Sequence, residues 1–150
     1  LSFQTEPFNE PFELVGAIEV VLHAASSAID TDFTAKLLDI YPHSEETPGG
    51  FELNLADSIL RARYRNGFEQ EEFLEPEAPT EFRIILYPTA NRFGHGHRLR
   101  VDISSSNYPR FDVNPNTGAP LGDSRRTLAA HQTIYHDSDH PSHIIVGVSK

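Results

Sequence analysis

Apolar residues recur at every second position along much of this chain of 150 residues. A period of two sends alternate side chains to opposite faces of an extended strand, so each such segment has one face to bury. The clearest case is His97–Ser104, where Leu99, Val101 and Ile103 face one way and Arg98, Arg100 and Asp102 the other. The pattern recurs in Ile18, Val20, Leu22; in Leu60, Ala62, Tyr64; in Phe82, Ile84, Leu86; and in Ile144, Val146, Val148. Shorter strands are expected at Phe33–Ile40 and Thr133–Tyr135, which makes at least seven. Between them stand helix-breaking clusters such as Thr47-Pro48-Gly49-Gly50, Arg65-Asn66-Gly67 and Asn114-Pro115-Asn116-Thr117-Gly118. No long window keeps a 3.6-residue period, although Ala56–Tyr64 can open as a helical turn before extending. The fold class is therefore all-β: two packed antiparallel sheets, a β-sandwich or jelly roll, with longer connections crossing between the sheets. No internal repeat and no domain boundary is visible, so residues 1–150 read as one domain.

Leu, Ile, Val and Phe together make up 27% of the residues, enough for a packed core; charged chains below roughly 20% tend to stay disordered. There is no cysteine, which removes disulfides, thiolate metal sites and cysteine nucleophiles and is compatible with a reducing, cytoplasmic compartment. The formal charge is −10. Residues 1–80 hold 16 acidic and 4 basic residues, while residues 81–150 hold 6 and 8. Much of the acidity falls in Glu69–Glu77, read as a solvated connection. A net negative field argues against nucleic acid and against anionic membrane surfaces as partners. Arg61, Arg63 and Arg65 alternate and are expected on one strand face, with no basic run to extend them. No apolar run reaches membrane-spanning length and the N-terminus lacks a secretory pattern, so a soluble protein is expected. The chain starts at Leu1 and has no methionine, so it reads as a fragment or processed piece of something larger.

Several clusters invite chemistry. His136, Asp139, His140 and His143 offer nitrogen and oxygen ligands for a divalent ion, but Pro141 interrupts any helix, so the cluster reads as loop bracing by hydrogen bonds, with metal binding the alternative. Gly94-His95-Gly96-His97 lacks the pattern of a phosphate-binding loop and reads as a turn entering a strand. Ser104, Ser105 and Ser106 could be paired on paper with histidine and aspartate, yet no GxSxG elbow occurs. Asp30 and Asp32 are more plausible as strand starters, through side-chain to backbone hydrogen bonds, than as acid–base partners. In the polar run Ser104–Gly118, the side chains of Asn107, Arg110, Asp112, Asn114 and Asn116 can brace successive turns while Tyr108 and Phe111 anchor the loop to the core. The same residue types would also suit a sugar-binding face.

Ile103-Ser-Ser-Ser-Asn-Tyr-Pro-Arg-Phe-Asp112, followed by Asn116-Thr-Gly118, resembles the C-terminal non-catalytic domain of the X-Pro dipeptidyl-peptidase and cocaine esterase-like (CocE/NonD) hydrolases. Further matching stretches follow the family order: Asp30–Leu37 with Asp39, Leu55–Arg65, Leu86–Asn91, Gly96–Val101, and Ile134–Asp137 with His140–His143. The resemblance implies a jelly roll similar to galactose-binding-like domains, attached to an α/β-hydrolase catalytic domain of the same polypeptide. It places the Ser-Asp-His triad and oxyanion hole in that preceding domain. This chain would then have no catalytic residue and no cofactor, would hydrolyse nothing alone, and would help enclose the cleft of an ester, amide or Xaa-Pro hydrolase. An uncovered former interface would favour homo-oligomers of the separated chain. Two other readings stand beside it: a carbohydrate-binding module using Asn107, Arg110, Asp112 and Asn116, and a metal-dependent enzyme using His136, Asp139, His140 and His143.

Overall fold

The alternating segments become strands packed face to face in a computed structural model that describes residues 1–123 and 125–149. In chain order they are β1 (Ser2–Gln4), β2 (Phe12–Ser26), β3 (Asp32–Tyr41), β4 (Phe51–Arg61), β5 (Thr80–Phe93), β6 (Arg98–Ser104), β7 (Gln132–Tyr135) and β8 (His143–Val148). Sheet A has the order β1-β6-β3-β4, and sheet B pairs β5 with β2 while β7 and β8 divide the other edge of β2 between them. Every pairing is antiparallel. The expected all-β sandwich of two sheets is the fold observed. β1 carries no alternation that would have marked it, because its three residues are all exposed on the edge of sheet A.

The predicted inward faces form the core. Ile18, Val20 and Leu22 of β2 and Phe82, Ile84 and Leu86 of β5 meet Phe33, Ala35 and Leu37 of β3 and the Leu99, Val101, Ile103 row of β6. Register delivers this: Leu37 lies opposite Val101 on one side and Ala56 on the other, so one layer of side chains crosses sheet A. The rings of Phe33 and Phe82 touch across the sandwich at 4.8 Å between centroids. Each such buried side chain contributes about 1.5–3 kcal/mol relative to exposure. One glycine is required by packing: a Cβ on Gly147 of β8 would collide with the Val15 carbonyl of β2.

Two details depart from expectation. The helical turn follows the strand instead of opening it: β4 is extended to Arg61 and a 3-10 turn occupies Ala62–Tyr64. Consequently Arg61, Arg63 and Arg65 do not share a strand face. The turn forms because the Ala62 N–H donates to the Thr31 carbonyl at 2.9 Å and the Arg63 N–H to Asp30 Oδ1 at 3.1 Å, which draws the chain inward where β4 would have continued. This end of the sandwich also holds Leu1, whose amino group donates to the Ile103 carbonyl at 2.8 Å, and Ser104, where β6 ends. From there the described residues of 105–131 lead to β7 without a strand. Irregular connections of that length are uncommon in compact domains and usually functional. Among the described residues no helix is long and apolar enough to cross a membrane.

Candidate functional site

Two carboxylates enter β3 and two guanidinium groups leave β4, and antiparallel register sets them against each other. Asp32 lies opposite Arg61, which forks onto it with Nε and Nη2 donating at 2.8 and 3.0 Å. Asp30 is fully buried and receives Arg63 Nε at 2.9 Å, while Arg63 is itself only 2% exposed. Asn114, from the long loop, donates to both Asp30 and Asp32 at 2.9 Å. Arg63 also donates to the Ala119 carbonyl at 2.9 Å and to Glu71 at 3.2 Å. A second anchor lies further along β4, where Asn107 donates to Asp57 at 2.7 Å and Arg110 pairs with the same carboxylate. The loop is thereby tied down across the outer face of sheet A by side chains from three separate parts of the sequence. Asp30 and Asp32 thus act as charge partners for distant arginines more than as local strand caps. Glu69–Glu77 is a largely exposed connection, as expected, and within it Glu71 and Glu72 also bond Arg63, Tyr64, Arg65 and Asn66.

The same bonds engage most of the polar loop's side chains. Asn107 and Arg110 bond Asp57, and Asn116 donates to the Leu128 carbonyl at 2.8 Å, so three of the four proposed sugar-binding groups are engaged inside the chain. Asp112 alone is exposed without a partner among the described residues. Tyr108 does not anchor the loop to the core; it is 72% exposed, and only Phe111 is half-buried. Gly118 supports the path with φ +71, a conformation that L side chains rarely adopt, and its Cα lies against Ile29 and Phe73.

The other candidate clusters are structural too. Asp137 accepts the backbone N–H groups of Asp139 and His140, both at 2.9 Å, and its carboxylate faces His140 Nδ1. His143 donates to the Pro141 carbonyl at 2.6 Å, and His136 packs edge-on to Phe3. Among the described residues no three such groups converge as metal ligands, those of His136, Asp139, His140 and His143 included. Ser104 and Ser106 accept backbone N–H groups within their own turn, and no serine hydroxyl bonds a histidine ring among the described residues. Gly94–His97 is a turn, as expected, with the His97 N–H donating to the Gly94 carbonyl at 3.2 Å. It has a second role that spacing did not disclose: His97 Nδ1 donates at 2.8 Å to fully buried Asp39, which also accepts Asn91 at 2.9 Å and so joins the two sheets. No nucleophile adjoins this pair among the described residues.

Four carboxyl groups are held below their ordinary range. Hydrogen bonds from Arg100 lower Glu52; those from Tyr64 and then Arg63 lower Glu71; Arg125 lowers Asp123. At Asp137 desolvation opposes the shift, but the backbone N–H groups of Asp139 and His140 prevail. Each folded value lies below the unfolded one, so the stability they contribute is present above the unfolded value and lost as pH falls through the folded value. Unfolding midpoints in urea are therefore expected to decline below about pH 4.5, the ordinary glutamate value. Glu71→Gln should make that decline shallower; an unchanged acid limb would refute the assignment.

The comparisons with known proteins agree with this architecture. The family model of the X-Pro dipeptidyl-peptidase C-terminal non-catalytic domain matches residues 1–145. This chain belongs to that family. As an X-Pro dipeptidyl-peptidase C-terminal domain it is 37% identical over 152 residues to cocaine esterase of Rhodococcus sp. (strain MB1 Bresler), a match covering 100% of the chain and 25% of that protein. Among solved structures, an α-amino acid ester hydrolase superposes with a TM-score of 0.93 at 35% identity, over 99% of this chain and 25% of that one. An aminopeptidase from a marine sediment archaeon, Thaumarchaeota archaeon, also gives 0.93, at 31% identity, over 100% and 26%. The chain thus spans about a quarter of the length of these relatives.

Proposed function

We propose that this chain is the accessory part of a longer serine hydrolase, packing on a preceding α/β-hydrolase domain and shaping its substrate cleft. One observation carries the reading: the whole chain superposes on a quarter of an ester hydrolase and of an aminopeptidase, each at a TM-score of 0.93. Its contribution is geometric. A rigid sandwich beside the cleft excludes water and holds neighbouring loops, and a displacement of about 1 Å at such a site can cost about 10²-fold in rate. The substrate class proposed for the longer protein is an acyl ester, amino acid ester or Xaa-Pro peptide.

The test compares the longer polypeptide with a version lacking residues 1–150, using a nitrophenyl ester, an amino acid ester and an Xaa-Pro anilide. Deletion should lower kcat/KM about 10²-fold or more, and the separated chain should show no turnover. Turnover by the separated chain, or full activity after deletion, would exclude the proposal. Homo-oligomers of the separated chain belong to the same reading, because an uncovered apolar interface self-associates. Light scattering that shows a monomer at high concentration would remove that part.

A further inference from the structure

Four large apolar side chains gather at one place on the described surface. Phe68, Tyr108, Val113 and Leu121 are 84, 72, 53 and 59% exposed, and all line a single open depression that also borders Ile59 and Arg61 of β4. Asp112 borders it too, exposed and without a partner among the described residues. The support behind it is rigid: Asn114 and Arg63 tie the loop to buried Asp30 and to the Ala119 carbonyl, and Asn107 and Arg110 tie it to Asp57. Ordered aromatic side chains on a preformed wall, with a charged group at the side, are the composition of a protein interface core. A sugar platform would need free amides, and those of Asn107, Asn114 and Asn116 are engaged inward.

The chain path indicates the occupant. Leu1 pairs with Ile103 at the point where β6 runs into residues 105–123, so Leu1 and the depression lie at the same end of sheet A. The family is a C-terminal domain, and its relatives carry about three quarters of their length outside the matched region. We infer that the depression seats an apolar element of the preceding hydrolase part, with a cationic side chain of that element facing Asp112. This rests on the accessory-domain reading and adds the place of contact. The outer face of sheet B, where Val15 and Ile145 are 49 and 48% exposed, stays open to solvent in this arrangement.

Hydroxyl-radical footprinting of the longer polypeptide tests the inference, with each rate normalised to the side chain's intrinsic reactivity. Phe68, Tyr108 and Leu121 should be labelled about tenfold more slowly than Val15 and Ile145, as expected for the water-excluded core of an interface. In the same polypeptide, Asp112→Lys should raise Tyr108 labelling toward the Val15 level, whereas Asp112→Asn should leave most of the protection. Labelling of Phe68, Tyr108 and Leu121 at the reference rate overturns the inference. If that result accompanies activity that collapses on deletion of residues 1–150, only the location is wrong. If deletion leaves activity intact, the accessory reading fails with it.

Discussion

Arg63→Ala is expected to destabilise the chain by about 3–5 kcal/mol, the usual consequence of removing one partner from a buried ion pair. Arg63 is 2% exposed and Asp30 not at all, so truncation leaves a carboxylate with no counter-charge and no access to water. Asn114 and the backbone N–H of residue 63 keep donating to Asp30 at 2.9 and 3.1 Å, but two neutral donors do not replace a guanidinium. The same substitution frees the Ala119 carbonyl and Glu71, so the long loop loses one of its ties. Against a total stability of about 5–15 kcal/mol, typical of such domains, the loss is large. Urea denaturation followed by far-ultraviolet circular dichroism measures it, and proteolysis within residues 105–123 should accelerate in parallel. Arg63→Lys retains the charge without the planar fork and should fall between the two. A loss below about 1 kcal/mol would mean the pair is solvated like a surface salt bridge and does not organise the loop.

Phe82→Ala should cost a similar amount, about 3–5 kcal/mol, for a different reason. Phe82 is fully buried near the start of β5, and its ring meets Phe33 of the opposite sheet at 4.8 Å with a tilt of 52°. Truncation removes the transfer free energy of the ring and leaves a cavity between two hydrogen-bonded sheets that cannot collapse freely. A cycle with Phe33→Ala isolates the ring–ring term, expected at about 0.5–1.5 kcal/mol beyond burial. Unlike Arg63→Ala, this change should leave the loop ties intact, so the acid limb set by Glu71 should keep its shape while the whole curve drops. A cost below about 1.5 kcal/mol would show that the sheets close over the gap.

The legibility of this fold differs from one residue class to the next. Strands β5, β6 and β8 were visible because each buries one face, and burial of one face forces alternation, whereas β3 and the second half of β2 are buried on both faces. β1 was invisible because an exposed edge strand of three residues buries neither face. The helical turn at Ala62–Tyr64 was placed on the wrong side of its strand, since what ends β4 is a hydrogen bond to Asp30, 33 residues earlier. The histidine loop was legible as a hydrogen-bonded brace because Pro141 and the Asp-Ser-Asp run are local signals, and backbone N–H groups and carbonyls do engage Asp137 and His143. For His97, the GHGH pattern disclosed the turn but not the buried Asp39 that the ring meets on the neighbouring strand β3.

What the sequence by itself determined, then, is everything that depends on near neighbours in the chain. Period two set the strands, glycine and proline set the turns, and long ordered motifs from Asp30 to His143 carried the family. Tertiary structure alone decided which charges meet. Asp30 and Arg63, Asp57 and Arg110, and Asp39 and His97 are separated by 33, 53 and 58 residues, and no local pattern encodes such distances. Carboxylates buried to this degree require partners, but burial is a property of the packed sheets and becomes known only when they are in place. The same holds for the outward depression. Tyr108 reads as a loop anchor to the core until the packed sandwich leaves it outside beside Phe68 and Leu121, because the interior is already filled by Phe33, Phe82 and their neighbours.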